Sequence, residues 1–326
     1  STTSNPFAVS SSAKAGPPVS VRVPCTTPSL TVSTFAASRS LMVADGSGRT
    51  TPPTMHRVDK NPLRNPADLA SGQYATGSNL AARSALHDRF SSTQRPFRLW
   101  EADLVNWTSC RDVLDVGTGT GRFWDNAELP RHLSLTLLDI SAGMVSEASA
   151  LAARGGFERV HLSVADAQHL PFADASFDVV VANHMLYHLP EPAAAVAEFR
   201  RVLRHDGMAL IATNASGHMR QLNEAIAEVF GPFDLGLNSV FGIENGEEVL
   251  RRYFSNIAWR SFVNPLLVTD PEAVVSYAMS IPPAQHATAD QASDLMAVIA
   301  QRMEAAGGVF RIDTRTGAFV CSGHAP

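Results

Sequence analysis

The chain has 326 residues, is 45% hydrophobic and carries a formal net charge of −5 at pH 7. This length suits one large domain or two modest ones, and the acidic balance argues against the clustered basic surface that nucleic acids require. No apolar run approaches the roughly 20 residues of a membrane span. Cys25, Cys110 and Cys321 are far apart and odd in number, so we expect no disulfide framework and a reduced, cytoplasmic setting.

The first part of the chain differs in composition from the rest. Residues 1–64 are rich in Ser, Thr and Pro, and no acidic residue precedes Asp45. Such a segment buries too little apolar surface to offset the entropy of ordering, so we predict a disordered or non-native N-terminal extension. A transit peptide is the alternative, but only Lys14, Arg22 and Arg39 supply positive charge over the first 40 positions,. Met55 is a candidate natural start.

From about residue 65 the pattern is that of a globular protein. Apolar residues recur at helical spacing over residues 80–90 and 95–107. Strands then alternate with helices that run from about 142 to 154 and from 192 to 203. The five predicted strands cover residues 112–116, 134–139, 160–165, 177–183 and 207–214. This alternation predicts parallel pairing in a doubly wound α/β sheet.

Beyond residue 214 the alternation loosens. Apolar spacing predicts further helices over residues 217–230, 246–253, 271–279 and 289–306. A sixth strand is predicted over residues 257–262, and residues 308–322 resemble a hairpin with its turn at 313–317. We therefore predict an α/β fold, a doubly wound, mostly parallel, seven-stranded Rossmann-like sheet with an added helical lid.

A glycine-rich loop follows the first strand, in the sequence Val113-Leu-Asp-Val-Gly-Thr-Gly-Thr-Gly-Arg122. Glycines allow positive φ and let a ligand approach the backbone closely, and the next helix offers free N–H groups to an anionic or polar ligand. The spacing is GxGxG with Asp115 two residues ahead, whereas dinucleotide enzymes use GxGxxG. A nicotinamide oxidoreductase is therefore disfavoured, and a tight turn without a ligand is the alternative.

Polar side chains stand at the ends of three further strands. Asp139 can accept hydrogen bonds from both hydroxyls of a ribose, or it caps the next helix. Asp166 can accept from an exocyclic amine such as that of adenine, or it is an ordinary turn residue. Asn183 and His184 follow the fourth strand directly. Ligands of open α/β sheets bind at these carboxyl ends, so the ordered set indicates a nucleoside-containing ligand.

With these motifs, residues 74–214 resemble the class I methyltransferases that depend on S-adenosylmethionine (SAM). Within that class they are most similar to bacterial small-molecule enzymes of the ubiquinone/menaquinone-biosynthesis methyltransferase group. The resemblance implies SAM as cofactor and a division into N-terminal helices that close over SAM (65–110), a SAM-binding core (111–214) and an acceptor-binding region of lid helices and last strands (215–326). The positions implied to bind SAM are Tyr74, Arg83, Asp115, Gly117, Thr118, Gly119, Asp139, Ile140, Met144, Asp166, Ala167 and Asn183.

These implied positions divide over the parts of SAM. Gly117, Thr118, Gly119 and Asn183 lie beside the methionine part, Asp139 on the ribose, Ile140 and Met144 against the adenine, and Asp166 and Ala167 at its amine. Tyr74 and Arg83 belong to the helices that close over the cofactor.

Methyl transfer by in-line displacement needs a base only when the acceptor must lose a proton. The candidates are His184, Tyr187 and His188 after the fourth strand and His218 after the fifth, because an imidazole titrates near neutral pH. The alternative is that each forms a wall of the pocket. We expect no metal, since the fourth strand ends in Asn183-His184 and not in carboxylates.

The region after residue 214 is expected to select the acceptor. Its apolar residues suggest an apolar or mixed pocket, although singly they are better explained as the core of the added helices. They include Phe230, Phe233, Leu235, Phe241 and Phe262. The sequence thus predicts a SAM-dependent methyltransferase of a small molecule in specialised metabolism, acting as a monomer or homodimer. A protein or peptide acceptor, and a SAM-binding protein without catalysis, are the alternatives.

Overall fold

The computed structural model describes residue 61 and residues 63–325. The predicted N-terminal extension therefore falls almost wholly outside the described residues, together with Cys25 and Met55. The expectation for residues 1–64 stays a prediction.

A seven-stranded sheet forms the centre of the fold. The strands of the structure are β1 (Asp112–Val116), β2 (Ser134–Asp139), β3 (Arg159–Val164), β4 (Phe177–Asn183), β5 (Leu203–Asn214), β6 (Asn256–Phe262), β7 (Leu266–Val268), β8 (Phe310–Ile312) and β9 (Thr316–Ser322). The order in the main sheet is β3-β2-β1-β4-β5-β9-β6. The first five pair in parallel, and β9 runs antiparallel to both β5 and β6. The predicted doubly wound, mostly parallel α/β sheet is confirmed.

The helices of the structure are α1 (Pro66–Asp68), α2 (Ser78–Phe90), α3 (Phe97–Ala102), α4 (Ala142–Arg154), α5 (Pro192–Val202), α6 (Arg220–Phe230), α7 (Leu237–Val240), α8 (Ile243–Leu250), α9 (Pro271–Ala278) and α10 (Ala289–Ala305). The helix α4 connects β2 to β3 and α5 connects β4 to β5, whereas only a 3-10 turn over Arg122–Trp124 follows the glycine loop, where the sequence predicts a helix. Local sequence explains several of their starts. Ser141 caps α4, Pro192 occupies the first turn of α5, and Thr288 with Gln291 forms a capping box on α10,.

The predicted helix over residues 95–107 is shorter in the structure. The indole N–H of Trp107 donates to the Ala102 carbonyl at 2.7 Å. The same carbonyl accepts the backbone N–H of Val105 at 3.3 Å, whereas a continuing α-helix would pair it with the N–H of residue 106. None of the helices described is both long and apolar enough to cross a membrane.

Apolar residues cover both faces of the sheet. The strands β1, β2 and β4 are buried on both sides, as a parallel sheet between two helical layers requires. A separate apolar cluster lies among α2, α6, α9, α10, β7 and β8. Phe230 and Phe233 pack against this cluster, and Phe241 is fully buried in the main core. The core interpretation of these three rings therefore holds, whereas Phe262 faces the cavity described below.

The predicted hairpin over residues 308–322 is wrong in its pairing. Both strands exist, but β8 pairs with β7 in a second, two-stranded sheet, while β9 inserts between β5 and β6. The residues of the expected turn bind the loop after β5. Ala215 donates its N–H to the Arg315 carbonyl at 2.8 Å, and Met219 donates to the Asp313 carbonyl at 3.0 Å. These hydrogen bonds hold the segment between β8 and β9, where the chain passes from the two-stranded sheet to the main sheet.

Candidate active site

A cavity of about 650 Å³ opens at the carboxyl ends of β1, β2 and β4. Its size is within the range of about 300–1,000 Å³ that is usual for small-molecule sites. Every residue that the sequence proposed for the site lies in its wall. These are Tyr74, Arg83, Asp115, Gly117, Thr118, Gly119, Asp139, Ile140, Met144, Asp166, Ala167, Asn183, His184, Tyr187, His188 and His218.

The glycine loop turns tightly at the end of β1. Gly117 and Gly121 have φ of 69° and 78°, a left-handed conformation that side chains rarely adopt,. A Cβ on Gly117 would lie 2.8 Å from the Cβ of Met185, and one on Gly121 would lie 2.9 Å from the Cα of Ala148 in α4. The loop is therefore pressed against its neighbours, with its backbone facing the cavity.

Asp139 stands at the carboxyl end of β2 and is only 8% exposed. One carboxylate oxygen accepts the backbone N–H of Gly119 at 3.0 Å, and the other accepts that of Ser141 at 2.9 Å. Burial raises the pKa of this carboxyl, and these N–H groups oppose the rise. Each oxygen retains a lone pair for a ligand hydroxyl. The cap of α4 is Ser141 and not Asp139.

Asp115 stabilises the glycine loop through two hydrogen bonds to one carboxylate oxygen. Its Oδ2 accepts the Thr118 hydroxyl at 2.7 Å and the indole N–H of Trp124 at 2.8 Å. Burial raises the pKa of Asp115 to about 6. Asp166, by contrast, accepts hydrogen bonds from the backbone N–H and the side-chain N–H of Gln168. Its side chain stays partly exposed.

Glu101 is a site residue that sequence reasoning missed. It lies on α3 one turn after Phe97, is 1% exposed and lines the cavity. Its Oε2 accepts the side-chain N–H of Asn183 at 3.0 Å. Burial, and then the charge of Asp115, raise the pKa of Glu101 well above its usual range. The only signal in the sequence was an acidic residue on the apolar face of a helix.

His188 binds two residues that precede α2 and the first strand, Leu63 and Tyr74. Its Nδ1 lies 2.7 Å from the Leu63 carbonyl and must donate, so its Nε2 accepts the Tyr74 hydroxyl at 3.0 Å,. Arg83 donates to the same hydroxyl and to Ser280. Burial lowers the pKa of His188 to about 4. His188 is therefore neutral, with both nitrogens in use.

His184 and His218 also line the cavity, together with His87 of α2. The Nδ1 of His218 accepts the Arg315 backbone N–H at 3.0 Å, which leaves Nε2–H as a donor,. Neither ring nitrogen of His184 has a hydrogen-bond partner among the described residues. Burial lowers the pKa of His184 to about 4 and that of His218 to about 3, and it also lowers the pKa of His87.

The backbone around these histidines is unusual. His184 has φ of 53°, and so does Met219, next to His218, at 54°. Non-glycine residues in the left-handed region persist where the surroundings hold them, often at functional sites. His184 is held by its N–H, which donates to the Ala212 carbonyl at 3.1 Å.

Aromatic rings form the walls around His184. Phe97 lies 5.5 Å from the imidazole and 5.3 Å from Phe262 of β6, measured between ring centres. Tyr187, another candidate base, lies 6.4 Å from His184, and burial raises its pKa well above its usual range. After the roles that we propose for them below, we call Gly117, Gly119, Asp139, Met144 and Asp166 the cofactor end, and His87, Phe97, His184, His218 and Phe262 the acceptor end.

Comparison with known proteins agrees with this geometry. A methyltransferase domain family matches residues 114–211. Over 282 residues the chain is 30% identical to the malonyl-[acyl-carrier protein] O-methyltransferase of Laribacter hongkongensis. The matched segment covers 82% of this chain and 89% of that enzyme. The chain belongs to the class I SAM-dependent methyltransferases.

Further relatives of this methyltransferase match shorter segments. It is 34% identical over 122 residues to the ubiquinone/menaquinone biosynthesis C-methyltransferase UbiE of Paracoccus denitrificans, covering 36% of this chain and 48% of that enzyme. The structure of the YcgJ protein of Bacillus subtilis superposes with a TM-score of 0.48 at 16% identity, covering 69% of this chain and 97% of that one.

The methyltransferase uses SAM, and its cofactor end suits a nucleoside joined to an amino acid. Asp139 presents two oriented carboxylate oxygens at a strand end, where such folds hold a ribose. Ile140 and Met144 add apolar wall beside it. Within residues 63–325, no three His, Cys, Asp or Glu side chains are grouped to hold a metal ion.

Proposed function

We propose that this methyltransferase transfers the methyl group of SAM to an oxygen, nitrogen or carbon atom of a small molecule, by in-line displacement without a metal. A role in specialised metabolism is part of the proposal, as is action as a monomer or homodimer. One observation carries it: His184, a half-buried, neutral imidazole with no hydrogen-bond partner among the described residues, shares one cavity with the glycine loop and Asp139. On this basis we assign the sixteen residues that the sequence proposed for the site to the binding of the cofactor or of the acceptor.

The side chains of the cofactor end bind and orient. When bound, SAM supplies an electrophilic methyl group on a positively charged sulfur. Asp139 accepts hydrogen bonds from the ribose hydroxyls of SAM, and Met144 packs against its adenine ring. The loop from Gly117 to Gly119 holds the amino-acid part of SAM in place. The aromatic walls of the acceptor end exclude water and hold the acceptor in line, which accounts for much of the rate in a displacement reaction.

Among the four candidate bases, hydrogen bonding favours His184. The lone pair of His188 is taken by Tyr74, and that of His218 by the Arg315 N–H. The raised pKa of Tyr187 keeps its hydroxyl protonated. His184 is neutral and has a free lone pair, so it accepts the acceptor's proton, while the Nε2–H of His218 donates a hydrogen bond to the acceptor.

A second candidate is a carboxylate carried on an acyl carrier protein. It is favoured by the near full-length match to an enzyme named for that reaction. A carboxylate needs a cation in the pocket. Arg98 lines the cavity, and within the described part of the chain its one hydrogen bond runs from Nε to the Asp125 carbonyl at 3.3 Å. Arg98 would then hold the acceptor's charge.

Methyl transfer from radiolabelled SAM separates these functions. The acceptors are a panel of phenols, amines and free carboxylic acids, malonyl-acyl carrier protein, and a peptide library. Label on small molecules that survives Arg98→Gln supports the proposal. Label on the carrier protein that is lost in Arg98→Gln supports the second candidate, and label on peptides supports a protein substrate. SAM binding without transfer to any acceptor would indicate a protein that binds SAM without catalysis.

A further inference from the structure

Two buried oxygen atoms beside the glycine loop lack hydrogen-bond donors. They are Oε1 of Glu101 and Oδ1 of Asn183, and neither has a partner in the part of the chain that the structure describes. The two side chains are already joined through Asn183 Nδ2 and Glu101 Oε2. Buried acceptors without donors are rare in proteins because each costs its lost hydration. Their pairing here therefore calls for a ligand that donates hydrogen bonds.

The charge around this pair also calls for a cation. Asp115 is a second buried carboxyl, and its charge acts on Glu101. The arginines that line the cavity point their charge elsewhere. Arg83 binds Ser280 and Tyr74, Arg98 binds the Asp125 carbonyl, and Arg122 pairs with Asp88. Among the described residues, no basic side chain is within hydrogen-bonding distance of Glu101.

The position of the pair fits one part of SAM. Asn183 ends β4, which pairs with β1 so that Val181 stands opposite Asp115, two residues before Gly117. The pair thus lies beside the loop that we assign to the amino-acid part of the cofactor. That part carries a primary ammonium, which is positive, offers three N–H donors and has no acceptor.

We propose that Glu101 and Asn183 form the binding site for the α-ammonium group of SAM, with Glu101 as its counter-ion. Glu101 touches the cofactor in this assignment and takes no part in proton transfer. The assignment does not depend on which acceptor is methylated. Burial raises the pKa of this carboxyl in the free protein,. A bound ammonium lowers that pKa, so cofactor binding favours release of a proton from Glu101.

A ligand-and-variant cycle tests this assignment by calorimetry. The ligands are S-adenosylhomocysteine and its derivative with hydrogen in place of the α-amino group. The proteins are wild type, Glu101→Gln and the exposed control Glu248→Gln. We expect E101Q to weaken S-adenosylhomocysteine about 10- to 100-fold, the usual effect of a charged hydrogen bond, and the desamino derivative less than about 3-fold. E248Q should match wild type with both ligands.

Equal weakening of both ligands in E101Q, or of neither, would overturn the assignment, because a merely structural carboxyl does not distinguish them. A second measurement needs only the wild-type protein. Titrations over a range of pH, in buffers of different ionisation enthalpy, should show more proton release with S-adenosylhomocysteine than with the desamino derivative. Equal proton release with the two ligands would reject the proposal even if E101Q failed to fold.

Discussion

At the cofactor end, the residues come from the ends of parallel strands and the turns that follow them, such as Gly117 after β1 and Asp139 at the end of β2. At the acceptor end the residues come from elements far apart in the chain, with His87 on α2, His218 after β5 and Phe262 on β6. The first end is thus built by short-range sequence and one sheet edge. The second is built by long-range packing, which leaves room for the acceptor pocket to differ while the cofactor end is kept.

The two ends also differ in charge. Asp115, Glu101 and Asp139 place three carboxyls at and beside the cofactor end, each with a pKa raised by burial. The acceptor end holds imidazoles whose pKa values are lowered by burial, so it is uncharged at neutral pH. One end therefore suits a cationic cofactor, and the other suits proton transfer from a neutral acceptor.

The largest expected effect is on the acceptor end. His184→Asn removes the free imidazole but retains a residue type that tolerates left-handed backbone. With an acceptor whose proton must leave, we expect kcat to fall about 10²- to 10⁴-fold, while the Kd of SAM changes less than about 3-fold. Steady-state kinetics and calorimetry measure the two. His205→Asn, at an exposed histidine, is the matched control.

The pH profile sharpens the same prediction. Because burial lowers the pKa of His184 to about 4, its lone pair is available down to that pH. The acid limb of kcat/KM should therefore lie well below pH 6.5, provided circular dichroism shows the enzyme still folded. An acid limb centred near pH 6.5, or a full rate in His184→Asn, would remove His184 as the base.

The next effect is on the cofactor end. Asp139→Ala deletes the carboxylate that binds Gly119 and Ser141 and that we assign to the ribose. We expect the Kd of S-adenosylhomocysteine to rise about 100-fold, near 2.7 kcal/mol. Asp206→Ala, which removes a fully exposed carboxylate, should leave the Kd unchanged. Unchanged binding in Asp139→Ala would mean that the adenosine lies elsewhere in the cavity.

The sequence predicted the cofactor end well because its signals are local. The bounds of β1, β2 and β4 match the predicted strands, and α4 begins at the predicted Ala142. An apolar run ending in a glycine loop or a carboxylate leaves little freedom for the fold. Every residue proposed for the site lines the one cavity, although their individual roles stay predictions.

The rest could not be predicted because it depends on partners distant in sequence. Glu101 stands on the apolar face of a helix, but the sequence does not show that its partner is Asn183, 82 positions later. The strands β8 and β9 follow a hairpin-like pattern, yet β9 finds its partners in β5 and β6. Periodicity identifies a strand but not its neighbour. The tautomers of His188 and His218, set by Leu63 and Arg315, are hidden from the sequence for the same reason.

A moderate effect on stability is expected from the glycine loop. Gly121 and Gly156 both have φ of 78°, but a Cβ would lie 2.9 Å from Ala148 at the first and meet nothing within 4 Å at the second. We expect Gly121→Ala to cost about 2–4 kcal/mol in unfolding free energy and Gly156→Ala about 1–2 kcal/mol. Denaturant unfolding measures both. Equal losses would show that strain alone, and not close packing on α4, fixes glycine in the loop.

The last effect depends on pH and concerns Glu101, beside the cofactor end. Glu101 has a folded-state pKa raised above the unfolded value, so the free protein loses stability as pH rises above about 4.5, where the unfolded chain ionises first,. Glu101→Gln lacks this loss. Its stability relative to wild type should therefore increase with pH, by at most about 1.4 kcal/mol per pH unit, until the raised pKa is passed. Thermal unfolding without ligand between about pH 4.5 and 8 measures this difference, and Glu248→Gln should show none, since its side chain is 81% exposed. A gain independent of pH would mean that Glu101 is ionised in the free protein, and the proton release expected on cofactor binding would then be absent as well.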